Sequence, residues 1–167
     1  SLYVWAKPHA LERVKTFIDP AHDSSGSSWQ IQQSLIAAGS GGVFGKGFGQ
    51  SVQKFGFLPE PIGDSIFAVA GEEFGFVGAV GIVAMFVIFL SRGLSLARRA
   101  PDMFGGLLVS GIVIMIASQA FLNMGAIMGV LPLTGVPLLF ISHGGSALLF
   151  ALAGAGMVLN VSRYMKK

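Results

Sequence analysis

Asp64, Glu72 and Glu73 are acidic side chains at or inside an apolar stretch, and they are where this sequence could hold chemistry. Asp64 ends the polar run Pro59-Glu60-Pro61-Ile62-Gly63 and precedes Ser65-Ile-Phe-Ala-Val69. A carboxylate at such a junction can cap the helix that follows, accepting a backbone N–H and complementing the helix dipole. Partly desolvated at a bilayer surface, it can also take a proton from a sugar or lipid-linked hydroxyl. The two roles are compatible. Glu72 and Glu73 lie two turns further in, where carboxylates are costly enough that they face a cavity or a partner. At about 100° per residue Glu72 sits roughly 80° around from Asp64 and Glu73 roughly 180°. One is therefore expected to pair inside the bundle and the other to reach the interface, and a structural ion pair suits them as well as catalysis does.

Two further clusters carry polar groups. Gly39-Ser-Gly-Gly-Val-Phe-Gly-Lys-Gly47 has the look of a phosphate loop, but Ser40 and Gly47 stand where a Walker A motif needs Gly and Ser or Thr. What remains is a glycine-lined backbone with one cation, Lys46, able to approach a pyrophosphate; a flexible loop with a solvated Lys is the plainer alternative. Gln119 and Asn123 are i,i+4 neighbours, with Ser118 beside them, a pattern that usually makes hydrogen bonds between membrane helices. His9, His22 and His143 are far apart and lack ligand spacing, and the absence of Cys removes disulfides and thiolate metal sites.

The elements that must position these groups are membrane helices. Of 167 residues, 53% are hydrophobic and 11% charged, against roughly 25% charged in a soluble domain. No Asp, Glu, Lys or Arg occurs from Met103 to Ser162. As one helix that run would be roughly 90 Å long against a hydrocarbon core of about 30 Å, so it must cross, turn and cross back. The apolar start at residues 1–5 reads as the end of an upstream membrane helix. Residues 6–63, with Pro8, Pro20, Pro59 and Pro61, form a large polar loop containing a short helix over 28–38 and a glycine-rich break over 39–49. Spans are expected at 64–90, 103–128 and 146–163, joined by loops at 91–102 and 129–145 and closed by a tail at 164–167.

Charge sets the orientation. Arg92, Arg98 and Arg99 form one basic cluster and Arg163, Lys166 and Lys167 another, two spans apart, so both lie on one side, which the positive-inside rule makes cytoplasmic. The 6–63 and 129–145 loops then face outward and can meet over the spans in one extracytoplasmic site. The basic balance, +3 overall, reads as topology and not as a nucleic-acid surface.

Phe17-Ile-Asp-Pro20, Trp29-Gln-Ile-Gln-Gln-Ser-Leu-Ile-Ala37, Gly39-Ser-Gly-Gly42, Gly45-Lys-Gly-Phe-Gly49, Leu58-Pro-Glu60, Asp64-Ser-Ile-Phe-Ala68 and Gly71-Glu-Glu-Phe-Gly75 stand in that order along the chain. With Leu131-Pro-Leu-Thr-Gly-Val-Pro137 and Ser142-His-Gly-Gly-Ser146, they closely resemble the SEDS proteins of shape, elongation, division and sporulation, over nearly the whole chain. The look is similar to the division member FtsW more than to the elongation member RodA. The resemblance implies an all-α, polytopic bundle of ten membrane helices, of which this chain holds the tail of the seventh, the large outer loop and helices eight to ten. It implies residence in the bacterial inner membrane with the site on the extracytoplasmic face.

By the same resemblance the protein is a peptidoglycan glycosyltransferase that polymerises lipid II into glycan strands in division or growth. The family's essential Asp, in a Leu-Pro-Glu-x-His-Thr-Asp-Phe-Ile-Phe block, matches Asp64, here the base that activates the acceptor hydroxyl. Lys46, alone or with a divalent cation, would offset the charge of the leaving undecaprenyl pyrophosphate. Glu60, Gln33 and Ser34 would line the cavity, and Ser142 would contribute from the last outer loop. Ile62-Gly63 replaces the family's His-Thr, Ser65 its Phe, and Leu139 and His143 stand where Pro and Tyr are usual. The implied partners are a monofunctional, class B penicillin-binding transpeptidase and other divisome or elongasome proteins. The piece seen here is expected to be inactive alone, since upstream helices complete the cavity. A lipid flippase or transporter built on Glu72, Glu73, Gln119 and Asn123, or a non-catalytic division scaffold, are the competing functions.

Overall fold

The computed structural model describes residues 27–53 and 63–164, all of them in helices, turns or irregular connections. The upstream helix end at 1–5, Glu60 and the last three residues of the tail lie outside the described residues.

Four helices follow in order: α1 (Ser27–Ser40), α2 (Ile66–Arg98), α3 (Met103–Ile127) and α4 (Gly145–Arg163). Helix α1 is longer at both ends than the 28–38 expected, and it carries on through Gly39 before the glycines end it. Its buried positions are small, Ser28, Ser34 and Ala37, which lets it lie close on α2. The last three helices are long and apolar enough to cross a membrane. Many of their large apolar side chains face outward, among them Val80, Ile88, Leu107, Ile114, Leu149 and Leu159. An apolar exterior of this extent is what lipid, and not water, would cover.

Helix α2 departs most from expectation. The span expected to close at residue 90 continues as helix to Arg98, so the connection to the next helix shrinks to 99–102. No Pro or Gly pair stops the chain at Arg92, and a long basic side chain is tolerated in a helix that has reached the bilayer margin. Thirty-three regular residues would be roughly 50 Å long, too much for the hydrocarbon core. Gly75, at φ 68° and ψ −165°, breaks the helix, and the part from Phe76 onward is still roughly 35 Å long, enough to span.

Helix α3 starts on an N-cap, Asp102, whose carboxylate accepts from the Gly105 amide at 3.1 Å. It packs along α2, with Gly93 of α2 facing the Val113 side chain so closely that a Cβ there would collide with it. One core cluster, including Phe67, Ala68, Ile116, Ala120, Met124 and Leu138, joins α2 and α3 to the connection that follows α3. A smaller one, Val109, Val113 and Val158, ties α3 to α4 at the opposite end.

Candidate functional site

The break at Gly75 removes two rungs of α2: the carbonyls of Glu72 and Glu73 no longer accept from the amides of Phe76 and Val77. The glycine-rich segment after α1 supplies the missing partners. Lys46 N and Gly47 N donate to the Glu72 and Glu73 carbonyls, each at 3.0 Å, while Phe76 N and Val77 N donate to the carbonyls of Gly42 and Val43 at 2.9 and 3.1 Å. Every backbone group freed by the break is thus paired, as buried backbone requires. The approach needs glycine on both sides, because a Cβ on Gly45 would run into the Glu73 carbonyl and one on Gly75 into the Gly45 amide.

The same splice encloses Glu72, which is 0% exposed. Its Oε1 accepts from Lys46 Nζ at 2.7 Å, from Ser40 Oγ and from the Val52 amide, and its Oε2 accepts from Ser51 Oγ and the Gln53 amide. Lys46 Nζ also donates to Ser40 Oγ at 2.9 Å. Lys46 is therefore an ion-pair partner, with the ammonium's third N–H unused among the described residues. The segment is ordered by these bonds, and two of its amides already serve Glu72 and Glu73. Glu73 is also buried, at 5%, and its Oε1 has no partner among the described residues. The expectation that one of the pair reaches the interface is corrected: the glycine segment lies on the backbone carbonyls of both at the break, and both side chains are buried.

Asp64 lies in a turn over 63–65. It is not the N-cap of α2; that position is Ser65, whose carbonyl accepts from the amides of Ala68 and Val69, while its side chain makes no capping bond. Asp64 is half-buried. Its carbonyl accepts from Asn123 Nδ2 at 3.0 Å, and that amide also donates to the Val136 carbonyl at 2.7 Å. The Gly63 carbonyl accepts from Ser142 Oγ at 2.7 Å, and Ser142 Oγ in turn accepts from the Leu138 amide. The turn is thus gripped from α3 and from the 129–144 connection together.

Of the residues singled out in the sequence, the structure therefore gathers two groups at the head of α2: Lys46 with Glu72, and Asp64 with Asn123 and Ser142. Asn123 bonds backbone and not a neighbouring helix's side chain. Gln119, one turn away, is half-buried and lines an apolar groove with Met115, Val136, Pro137 and Phe150. In α1, Ser34 is fully buried with its Oγ unpartnered among the described residues, and Gln33 is half-buried. Ser40, Ser51, Gly75 and Val136 were not singled out as site residues. A glycine one turn after two buried carboxylates, downstream of a glycine-rich loop, was the available signal for the splice. Among the described residues no three His, Asp or Glu side chains converge as metal ligands, and Glu72 already has its oxygens occupied. The described residues therefore hold no preformed three-ligand cage for a divalent cation.

A bundle of three helices long and apolar enough to span a membrane, with a polar cluster at the head of one of them, defines a multi-pass membrane protein. The family model described as cell cycle protein, FtsW/RodA/SpoVE, matches residues 2–167, and the chain belongs to that family. Stage V sporulation protein E of Bacillus subtilis is 46% identical over 163 residues, covering 98% of this chain and 44% of the relative. The probable peptidoglycan glycosyltransferase FtsW of Geobacter sp. strain M18 is 42% identical over 163 residues, with the same coverage of 98% and 44%. The chain thus spans less than half the length of the curated relatives it matches. Among solved structures, a chain of a peptidoglycan synthase complex that coordinates polymerization and crosslinking superposes with a TM-score of 0.73 at 33% identity, over 96% of this chain and 44% of that one. A crystal structure of a substituted rod shape determining protein RodA from Thermus thermophilus gives a TM-score of 0.61 at 36% identity, over 80% and 40% of the two chains.

Proposed function

We propose that the full-length protein is a peptidoglycan glycosyltransferase of the bacterial inner membrane that polymerises lipid II on the extracytoplasmic face, with Asp64 as general base. The observation that carries this reading is the placement of Asp64: a half-buried carboxyl on an anchored turn, at the margin of a membrane-spanning helix, in a member of this family. Relatives named as probable peptidoglycan glycosyltransferases supply the substrate class. Asp64 takes the proton of the acceptor sugar hydroxyl as that oxygen attacks the donor's anomeric carbon. The bond from that carbon to the pyrophosphate oxygen breaks, and undecaprenyl pyrophosphate leaves with the bonding pair. General-base assistance contributes about 10²–10⁴-fold, and orientation and charge stabilisation supply the remainder. The remaining N–H of Lys46 is the group proposed to meet a phosphate oxygen, its charge already moderated by Glu72. No step is assigned to a divalent cation.

A class B penicillin-binding transpeptidase is the proposed partner, supported by the likeness to a complex that couples polymerization to crosslinking. The transporter reading loses support at Glu72, whose ion pair and four further hydrogen bonds make it a poor carrier group.

The test is polymerisation of purified lipid II by the full-length protein with its partner. Asp64→Asn and Asp64→Ala are expected to lower the rate by about 10²-fold or more, with thermal stability close to wild type. Wild-type rates from both variants would overturn the assignment.

A further inference from the structure

We propose that Asn123 is a positioning residue: from α3 it fixes, together with Ser142, the direction in which Asp64 presents its carboxylate. This rests on the reading of Asp64 as the base. Asn123 is 2% exposed, and both N–H bonds of its amide are used, one on the Asp64 carbonyl and one on the Val136 carbonyl. Both partners are acceptors, so the amide can face them only with its nitrogen. Its Oδ1 is left buried without a partner among the described residues, an arrangement that costs stability and that an apolar side chain would avoid. The side chain is therefore explained by what its nitrogen holds.

What the nitrogen holds is one half of a vise. The Gly63 carbonyl belongs to the peptide plane before the Asp64 Cα, and the Asp64 carbonyl to the plane after it. Ser142 grips the first and Asn123 the second. With both planes fixed, φ and ψ of Asp64 are fixed, and so is the direction of its Cα–Cβ bond. The Ser142 arm is itself braced: its amide donates to the Leu138 carbonyl at 2.8 Å, its Oγ accepts from the Leu138 amide, and Phe140 between them takes a left-handed φ of 69°. A bulky residue in that region is strained, and such strain persists where surroundings impose it. Because the two bonds that grip the turn go to the Gly63 and Asp64 carbonyls, they do not depend on whether the Asp64 carboxyl gains or loses a proton. A group that must cycle between charge states is best held that way.

The experiment uses the full-length protein with its partner and radiolabelled lipid II. Asn123→Ala and the near-isosteric Asn123→Asp, which loses both donors, are expected to lower kcat by about 10- to 100-fold while KM stays within a few-fold. In an Asp64→Asn background, Asn123→Ala is expected to cause little further loss, because residues acting through one group are not additive. Backbone hydrogen exchange over residues 63–69 is expected to rise in both Asn123 variants. Should Asn123→Ala fail to fold, Ser142→Ala removes the other arm and must show the same kcat-weighted loss. A KM effect without a kcat effect, full additivity with Asp64→Asn, or unchanged exchange over 63–69 would each overturn the proposal. Wild-type polymerisation by Asp64→Asn alone would instead sink the base assignment, and the exchange data would then show separately whether Asn123 holds the turn.

Discussion

The two polar regions at the head of α2 hold their carboxylates by opposite means. Around Glu72 the carboxylate itself is the hub: an ammonium, two hydroxyls and two amides converge on it, and its negative charge strengthens each of those bonds. Around Asp64 the neutral donors Asn123 and Ser142 seize the backbone on either side. The first arrangement suits a group that stays ionised and welds a loop to a helix. The second suits a group whose charge must change during a reaction. Of two acidic residues eight positions apart, one is therefore an element of architecture and the other is the one proposed above as the general base.

The sharpest way to break this comparison is to remove the charge that Glu72 relies on. Deleting one partner of a buried ion pair leaves an uncompensated charge and costs about 3–5 kcal/mol. Lys46 is 36% exposed, so water can partly replace it, but Glu72 is 0% exposed and its remaining donors are neutral. Lys46→Met is expected to cost about 3 kcal/mol in unfolding of the full-length protein, and Lys46→Met with Glu72→Gln to recover most of that. A loss below about 1 kcal/mol would mark the pair as a solvent-screened contact and erase the contrast with Asp64.

Next in size is the splice itself. At φ 68° an L side chain is strained by about 1–2 kcal/mol, and at Gly75 the added Cβ would also meet the Gly45 amide and the Val43 carbonyl. Gly75→Ala is expected to destabilise by at least about 2 kcal/mol and to raise hydrogen exchange at the amides of Lys46, Gly47, Phe76 and Val77. A neutral Gly75→Ala, with exchange unchanged, would show that the helix can run straight without the loop.

How legible all this was in the sequence follows from which interactions are local. The four helices were visible, because apolar runs and glycine breaks act over a few residues, and the block resemblance pointed to the family. The pairing of Glu72 with Lys46 was foreseen only as a class of interaction, since it joins residues 26 apart in sequence. The break at Gly75 was missed because hydropathy does not register a positive φ, and the rotation estimate for Glu72 and Glu73 assumed a regular helix from Asp64. Asn123 was read as glue between helices because its i,i+4 relation to Gln119 is local. Its actual partners are the backbones of residues 59 and 13 positions away, which no spacing rule reveals.

The smallest effect concerns the other aspartate that precedes a membrane helix. Asp64 and Asp102 each stand just before an apolar helix, and the sequence suggests a cap at Asp64. Only Asp102 takes the N-cap, with extended backbone at φ −139° and ψ 161° and its carboxylate on the Gly105 amide. Asp64 stands one residue ahead of the cap, because the grip of Asn123 and Ser142 on residues 63 and 64 makes a turn there and starts the helix at Ile66. Asp102→Ala is expected to cost about 1 kcal/mol, the value of a lost cap, measured by thermal unfolding, and to leave the rate of lipid II polymerisation unchanged. Were Asp102→Ala to lower that rate as Asp64→Asn does, the effect of either substitution would be one of folding at a helix start, and the distinction between a structural carboxylate and a chemical one would lose its basis.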